Sequence, residues 1–170
     1  FTLVWMVSTK FIPAVGVLVP IFLVYKTIGL LDNVWGLIAL YTAMNLPIMI
    51  WMVYSYFRDI PKDLVEAANI DGASMGQTML KVILPLATPG LASTGLLALI
   101  LAWNESFWSI TMTNYQASTL PVYIASFKSA EGMFWAKMSA ASVLSIAPII
   151  VLGWFAQRQM VRGLTFGAVK

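Results

Sequence analysis

The chain has 170 residues, of which 60% are apolar and 10% charged, with a net charge of +3 and a mean hydropathy of +0.84. An ordinary soluble domain carries about 25% charged residues, so these few charges cannot cover a water-exposed particle, and most of the surface must face lipid. Cysteine and histidine are absent, which excludes thiolate chemistry, imidazole catalysis, disulfide scaffolding and the usual soft metal sites, and no basic run offers a nucleic-acid footprint.

A helix rises about 1.5 Å per residue, so crossing a hydrocarbon core of about 30 Å takes ~20 uncharged residues. The opening, Phe1 to Thr9, reads as the tail of such a span, with no basic n-region or small-residue cleavage site to make it a signal peptide. Its first residue reads as a truncation or the edge of an ordered region. Residues 11–25 are interrupted by Pro13 and Pro20, which predicts a broken or interfacial helix. Uncharged runs then predict spans at 33–57, 82–104 and 138–157. The seven tryptophans, Trp5, Trp35, Trp51, Trp103, Trp108, Trp135 and Trp154, fall mostly near span ends and are expected to anchor at the interfaces.

Two polar stretches separate the spans. Residues 58–81 carry three basic and four acidic side chains (Asp59, Asp63, Glu66, Asp71), and residues 105–137 carry only Glu105, Lys128, Glu131 and Lys137. Arg58, Lys62, Lys81, Arg158, Arg162 and Lys170 outnumber Lys10, Lys26, Lys128 and Lys137. The positive-inside rule therefore puts residues 58–81 and the C-terminus in the cytoplasm.

Residues 59–77 read as a helix, a turn and a second helix. Pro61 suits a first turn, Asp63 favours the positive helix end, and Gly72 supplies the left-handed residue that closes a helix. Ser74 and Gln77 form a capping box that restarts the helix toward Pro85. Ile60, Leu64, Ala67 and Ala68 share one face with no evident partner, so the segment is either a loop packed on its own span ends or a docking surface.

At membrane depth, Asn45 lies two residues before Pro47 and either contacts solute or re-satisfies the backbone that the proline frees. Asn104 and Glu105, at the outer end of a span, either line an entrance or anchor the interface. Ser139, Ser142 and Ser145 with Ala140, Ala141 and Ala147 predict close helix packing in the last span. No catalytic constellation is present. A membrane-embedded hydrolase lacks its base, and a channel or scaffold would leave the 59–77 pattern unexplained.

The run Glu66-Ala67-Ala68, Gly72 and Val82-Ile83-Leu84-Pro85 resembles the EAA signature of ABC importer permeases, with Val82 where the pattern has isoleucine. Residues 28–33, Trp103-Asn104-Glu105, Thr119-Leu120-Pro121 and the tail 161–170 are similar to the MalG-like branch of carbohydrate permeases. Glu105-Ser-Phe-Trp and residues 126–142 look most like polyol (sorbitol or mannitol) permeases.

The resemblance implies an all-α polytopic transmembrane helix bundle of the type I ABC importer permease kind. Residues 1–170 would be the C-terminal part of one permease domain, with the first two or so spans missing, and residues 58–81 its cytoplasmic coupling loop. Glu66, Ala67, Ala68, Asp71, Gly72, Ala73 and Ser74 would dock on an ATPase subunit, and Asn45, Asn104 and Glu105 would line a path. Implied partners are a homologous second permease, two ATP-binding subunits and an extracytoplasmic solute-binding protein, in a bacterial cytoplasmic membrane. No G-x-x-x-x-G-K-[ST] occurs, so ATP and Mg are expected on partner subunits, with no cofactor or metal on this chain.

Overall fold

In a computed structural model the backbone is described for residues 1–129 and 132–166, and side chains for 1–128 and 132–154. Helix α1 (Thr2–Ser8) ends in a 3-10 turn (Thr9–Phe11), and α2 (Ala14–Thr27) departs from it at 93°. Pro13 stands at the break, where it removes a backbone donor and fixes its own φ. Helix α3 (Val34–Arg58) starts where the Asn33 side chain accepts a hydrogen bond from the Trp35 N–H at 2.8 Å, a cap whose loss costs about 1 kcal/mol.

Helices α4 (Lys62–Ile70) and α5 (Met75–Thr78) follow. From α5 the chain passes through a π-helical segment (Met79–Ile83) directly into α6 (Leu84–Trp103). The end of the bundle away from α4 and α5, called outer after the expected topology, holds α7 (Phe107–Met112), α8 (Leu120–Ala125) and a two-residue antiparallel ribbon, β1 (Lys128–Ser129) with β2 (Gly132–Met133), before α9 (Trp135–Phe166). The fold is all-α apart from that ribbon.

Among the described residues three helices are long and apolar enough to cross a membrane, Val34–Arg58, Met75–Trp103 and Trp135–Trp154, and the bent pair of α1 and α2 would make a fourth if it counts as one span. The helix that carries the second span starts at Met75, where the capping box is expected to restart it, and continues unbroken into the apolar run at residue 82. One boundary differs from the sequence expectation. The last span starts at Trp135 rather than at residue 138, since Lys137 on the first turn does not stop a helix. Arg158 and Arg162 lie beyond the described side chains, while Ala130, Glu131 and Lys170 lie outside the described residues.

Helix α6 is central, packing against α3 on one side and α9 on the other. Its buried seam is Ala87, Gly90, Ser93 and Thr94. Without a strong hydrophobic drive between lipid-embedded helices, small residues gain van der Waals contact by letting backbones approach. The Tyr56 ring of α3 lies against Gly90 so closely that a Cβ there would overlap it. Ser93 and Thr94 donate back to the carbonyls of Pro89 (2.9 Å) and Gly90 (2.8 Å), so the seam holds no unpaired hydroxyl. Close packing therefore centres on α6. In α9, Ala141, Ser142 and Ser145 are half-buried, whereas Ser139, Ala140 and Ala147 are exposed.

A second cluster fills the outer end. Leu37 and Leu40 of α3, Trp108 and Met112 of α7, and Ala117 pack together beneath α2. Trp108 is 2% exposed and meets Phe107 edge-on, with ring centroids 5.3 Å apart. It is thus a core residue, not an interfacial anchor, because α7 folds back over α3 and carries it inward. Trp35 and Trp135 are exposed at helix starts, as an aromatic belt requires, and Trp5 and Trp154 are exposed within α1 and α9.

Candidate functional site

The knuckle between α3 and α6 forms the other end of the bundle, the one expected to be inner. Pro61 is the N-cap of α4, and Asp63 sits in its first turn, where a carboxylate meets the positive helix end. At the other end Gly72 adopts φ +79°, its N–H donates to Asn69 at 3.1 Å, and the Ala73 N–H reaches back to Ala68 at 3.0 Å. This pair of bonds is a Schellman closure, which needs the left-handed residue glycine accepts without penalty. Two residues later Ser74 accepts from the Gln77 N–H at 3.4 Å, while Gln77 Oε1 accepts from the Ser74 N–H at 2.9 Å. Stop and restart signals enclose one residue, so the angle between α4 and α5 is set by hydrogen bonds rather than by a slack loop.

Burial divides the predicted docking residues. Ala68 is buried and Ala73 half-buried, toward the chain itself, and Thr78 is buried at the joint below them. Glu66, Ala67, Asp71, Gly72 and Ser74 are exposed. Beside them stand exposed apolar side chains: Ile70 (86%), Met75 (77%) and Leu80. The side chains of Asp63, Glu66 and Asp71 have no hydrogen-bond or ion-pair partner among the described residues. The knuckle thus presents a rigid surface of small, apolar and acidic groups.

The outer residues behave differently. The Glu105 carboxylate accepts from the Trp108 N–H at 2.8 Å and so starts α7, and the Glu105 carbonyl is 3.4 Å from the Tyr41 hydroxyl that donates to it. Asn104 is exposed, with its amide donating to Ile100 at 2.9 Å. It borders an open cleft of about 340 Å³ that Trp103, Ser106, Leu120, Pro121, Ile124 and Ser145 also line. Neither Asn45 nor Glu105 lines that cleft. Asn45 is half-buried midway along α3, and its side chain makes no hydrogen bond among the described residues, so within this chain it does not cap the carbonyl that Pro47 frees.

A carboxylate left without a structural role in the sequence reading, Asp32 within the 28–33 resemblance, organises this outer end. Asp32 adopts φ +51°, a left-handed conformation that Asp tolerates better than most residues, and its N–H donates to Met112 at 2.9 Å. Its two oxygens accept from the backbone N–H groups of Asn114 (2.8 Å), Tyr115 (3.1 Å), Gln116 (3.1 and 3.2 Å) and Ala117 (3.1 Å). The Asn114 N–H foremost holds the carboxyl down to about 2 from 3.8, against desolvation, and the Gln116, Tyr115 and Ala117 amides act in the same sense as Asn114.

Comparison with known proteins adds the family. The sequence pattern of the binding-protein-dependent transport system inner membrane component family matches residues 1–162. The chain belongs to that family. It is 37% identical over 169 residues to the trehalose/maltose transport system permease protein MalG of Thermococcus litoralis, covering 98% of this chain and 61% of the relative. It is 40% identical over 161 residues to the trehalose transport system permease protein SugB of Mycobacterium tuberculosis (93% and 59%). With the sulfoquinovosyl glycerol transport system permease protein SmoH of Agrobacterium fabrum it shares 37% over 165 residues (96% and 58%). The chain spans about six-tenths of the length of these relatives.

As an inner membrane component the chain is a multi-pass membrane protein, and its three long apolar helices accord with this. In this family member no local signal disclosed the Asp32 bonds, because they join residues more than eighty apart. The nearest hint was a charged residue directly before the Asn33 cap, at a boundary where a charge needs no other explanation. The Glu105 cap of α7 was more accessible, since a carboxylate three residues before Trp108 fits the reach of an N-terminal cap.

Proposed function

We propose that this chain is a permease subunit of an ATP-binding-cassette importer that moves a sugar or sugar alcohol across the cytoplasmic membrane. The observation that carries this reading is the knuckle: a hydrogen-bonded turn at Gly72 that presents Glu66, Asp71, Ile70 and Met75 unpartnered at the inner end of two spans. A rigid body directly continuous with α6 can transmit displacement from a docked subunit into the membrane. ATP and Mg are held and consumed on two partner ATPases, a homologous second permease completes the pathway, and an extracytoplasmic binding protein delivers solute.

The fit to sugars draws on the relatives, whose names give trehalose, maltose and sulfoquinovosyl glycerol. The narrower polyol reading rests on residues 105–108 and 126–142. Residues 58–81 and the C-terminus are cytoplasmic in this proposal, and residues 105–137 extracytoplasmic.

The test is reconstitution in vesicles with the candidate ATPases, second permease and binding protein. ATP-dependent uptake of a labelled sugar or polyol is expected only with all components present. In the naturally cysteine-free chain, Lys128→Cys should react with an impermeant reagent in intact cells and Ala73→Cys should not. The reverse labelling would invert the topology, and ATP-independent flux would favour a channel.

A further inference from the structure

Helix α2 is apolar along its length but carries a lysine at each end. Lys10, just before it, and Lys26, in its last turn, are both exposed with no ion pair among the described residues. One side of the helix, Ala14, Val17, Leu18, Ile21 and Tyr25, packs on the Trp108 cluster, while Val15, Val19, Phe22 and Leu23 are exposed. The packed residues cover about 16 Å of helix, yet the buried part of the cluster takes only Leu37 and Leu40 from α3, about 4.5 Å apart along its axis. Helix α2 therefore crosses the start of α3 rather than running beside it, and the Tyr25 hydroxyl ties the two by donating to the Gly36 carbonyl at 3.1 Å. That start is a membrane boundary whichever side it faces, because α3 is a span with no charge between Asp32 and Arg58.

Helix α2 does not complete a crossing with α1. The Thr2–Phe11 and Ala14–Thr27 helices, about 15 and 21 Å long, meet at 93°, so together they reach about 26 Å, short of a hydrocarbon core of about 30 Å. Stood upright into the bilayer from the Tyr25 end, α2 would carry Lys10 about 20 Å into hydrocarbon without a partner, where a charge is costly. Turned outward, it would carry its exposed apolar side chains into water. Laid flat, it does neither. Pro20 fits the flat position, since it leaves the Gly16 carbonyl without its usual donor, and Gly16 is exposed where water of the headgroup layer can reach it. We infer that α2 lies in the plane of one membrane boundary and docks on the phospholipid surface, with Lys10 and Lys26 reaching lipid phosphates of the same leaflet and Val15, Val19, Phe22 and Leu23 seated on acyl chains. This goes beyond the importer reading and holds whichever side of the membrane the knuckle faces.

The experiment uses the full-length subunit assembled with its partners in phospholipid vesicles. Single cysteines in the naturally cysteine-free chain carry a nitroxide, whose depth is read from its relaxation by oxygen against that by a polar nickel chelate. Val15→Cys, Val19→Cys and Phe22→Cys should report one common depth, with oxygen the stronger relaxer, and Lys10→Cys and Lys26→Cys should both lie in the headgroup layer. Ile38→Cys and Leu46→Cys, exposed on α3, give the scale for an upright helix and should differ by about 12 Å. If the Phe22 label disturbs assembly, Leu23→Cys on the same flank replaces it. A steady change of about 10 Å from residue 15 to residue 22 would stand α2 upright and overturn the proposal. So would weak relaxation by both reagents at residues 15, 19 and 22, which would give that face to another subunit.

Discussion

The two ends of the helix bundle treat their carboxylates in opposite ways. At the outer end Asp32 and Glu105 both accept backbone N–H groups, one from residues 114–117 and one from Trp108, and the cluster around Trp108 is buried and apolar. At the inner end Asp63, Glu66 and Asp71 have no side-chain partner among the described residues, and Ile70 and Met75 lie open. The outer end has bonded both of these carboxylates within the chain, although Trp108 Nε1 and Thr119 Oγ1 stay buried without a partner, so the loop and helix start they hold present a fixed shape. The inner end is locally rigid yet chemically unfinished, as an element that functions against another surface would be.

The contrast breaks most severely at Gly72. Gly72→Val forces a β-branched side chain into φ +79°, at about 1–2 kcal/mol of backbone strain or more, and no atom lies within 4 Å of the added Cβ to confuse the cause. Uptake should be abolished and the ATPase lost or uncoupled in reconstituted vesicles, with insertion of the spans normal by protease mapping. Gly72→Asn, which tolerates the left-handed region, should recover much of the activity. Wild-type transport in the valine variant would remove the knuckle from the mechanism.

Glu66→Ala should act in the same direction, more mildly. A charge-assisted contact contributes about 1.5–3 kcal/mol, so affinity for the ATPase, read by pull-down, should fall by roughly 10- to 150-fold. Stability of the isolated subunit should not change, because the side chain has no partner in this chain. A fall in the subunit's own melting temperature would show that the inner end is less unfinished than it looks.

Acid should loosen the outer end first. The Asp32 carboxyl is depressed from 3.8 to about 2, so its contribution to folding is present above the ordinary value and disappears as pH falls toward the depressed one. Cleavage of the 113–119 loop by an acid-active protease should rise across that window, and Asp32→Asn should show the higher cleavage already at neutral pH with a neutral-active protease. A flat profile would mean that the amides are held by something other than this carboxylate.

The smallest effect is expected at Asn45. Its free amide suits a solute hydroxyl, so Asn45→Ala should lower uptake several-fold, about 1 kcal/mol for one neutral hydrogen bond, with basal ATP hydrolysis of the assembled complex intact. Loss of assembly instead would give the residue a structural role after all.

The legible parts of this chain are those written in local chemistry. Uncharged runs disclosed the three spans, Pro13 disclosed the break before α2, and Pro61, Gly72, Ser74 and Gln77 disclosed the knuckle turn by turn, because caps act within a few residues. Contacts across the sequence stayed hidden. The face of Tyr56 on Gly90, the burial of Trp108 under α2 and the amides gathered by Asp32 each join segments whose separate patterns look ordinary. The face expected to dock was legible as an apolar stripe but not its division, since only the fold shows that Ala68 is buried while Ala67 is exposed.

The π-helical stretch at Met79–Ile83 has a consequence for evolution. Its closing bond runs from the Leu84 N–H to the Met79 carbonyl, one residue longer than an α-turn, just ahead of Pro85. One surplus residue in a continuous helix shifts everything before it by about 100° around the axis, the angle per residue at 3.6 residues per turn. The stretch therefore works as a phase setter: deleting a single residue there would leave two intact helices and aim the knuckle more than a quarter turn away from its partner. Insertions and deletions should be tolerated in the ribbon between α8 and α9 long before they are tolerated here.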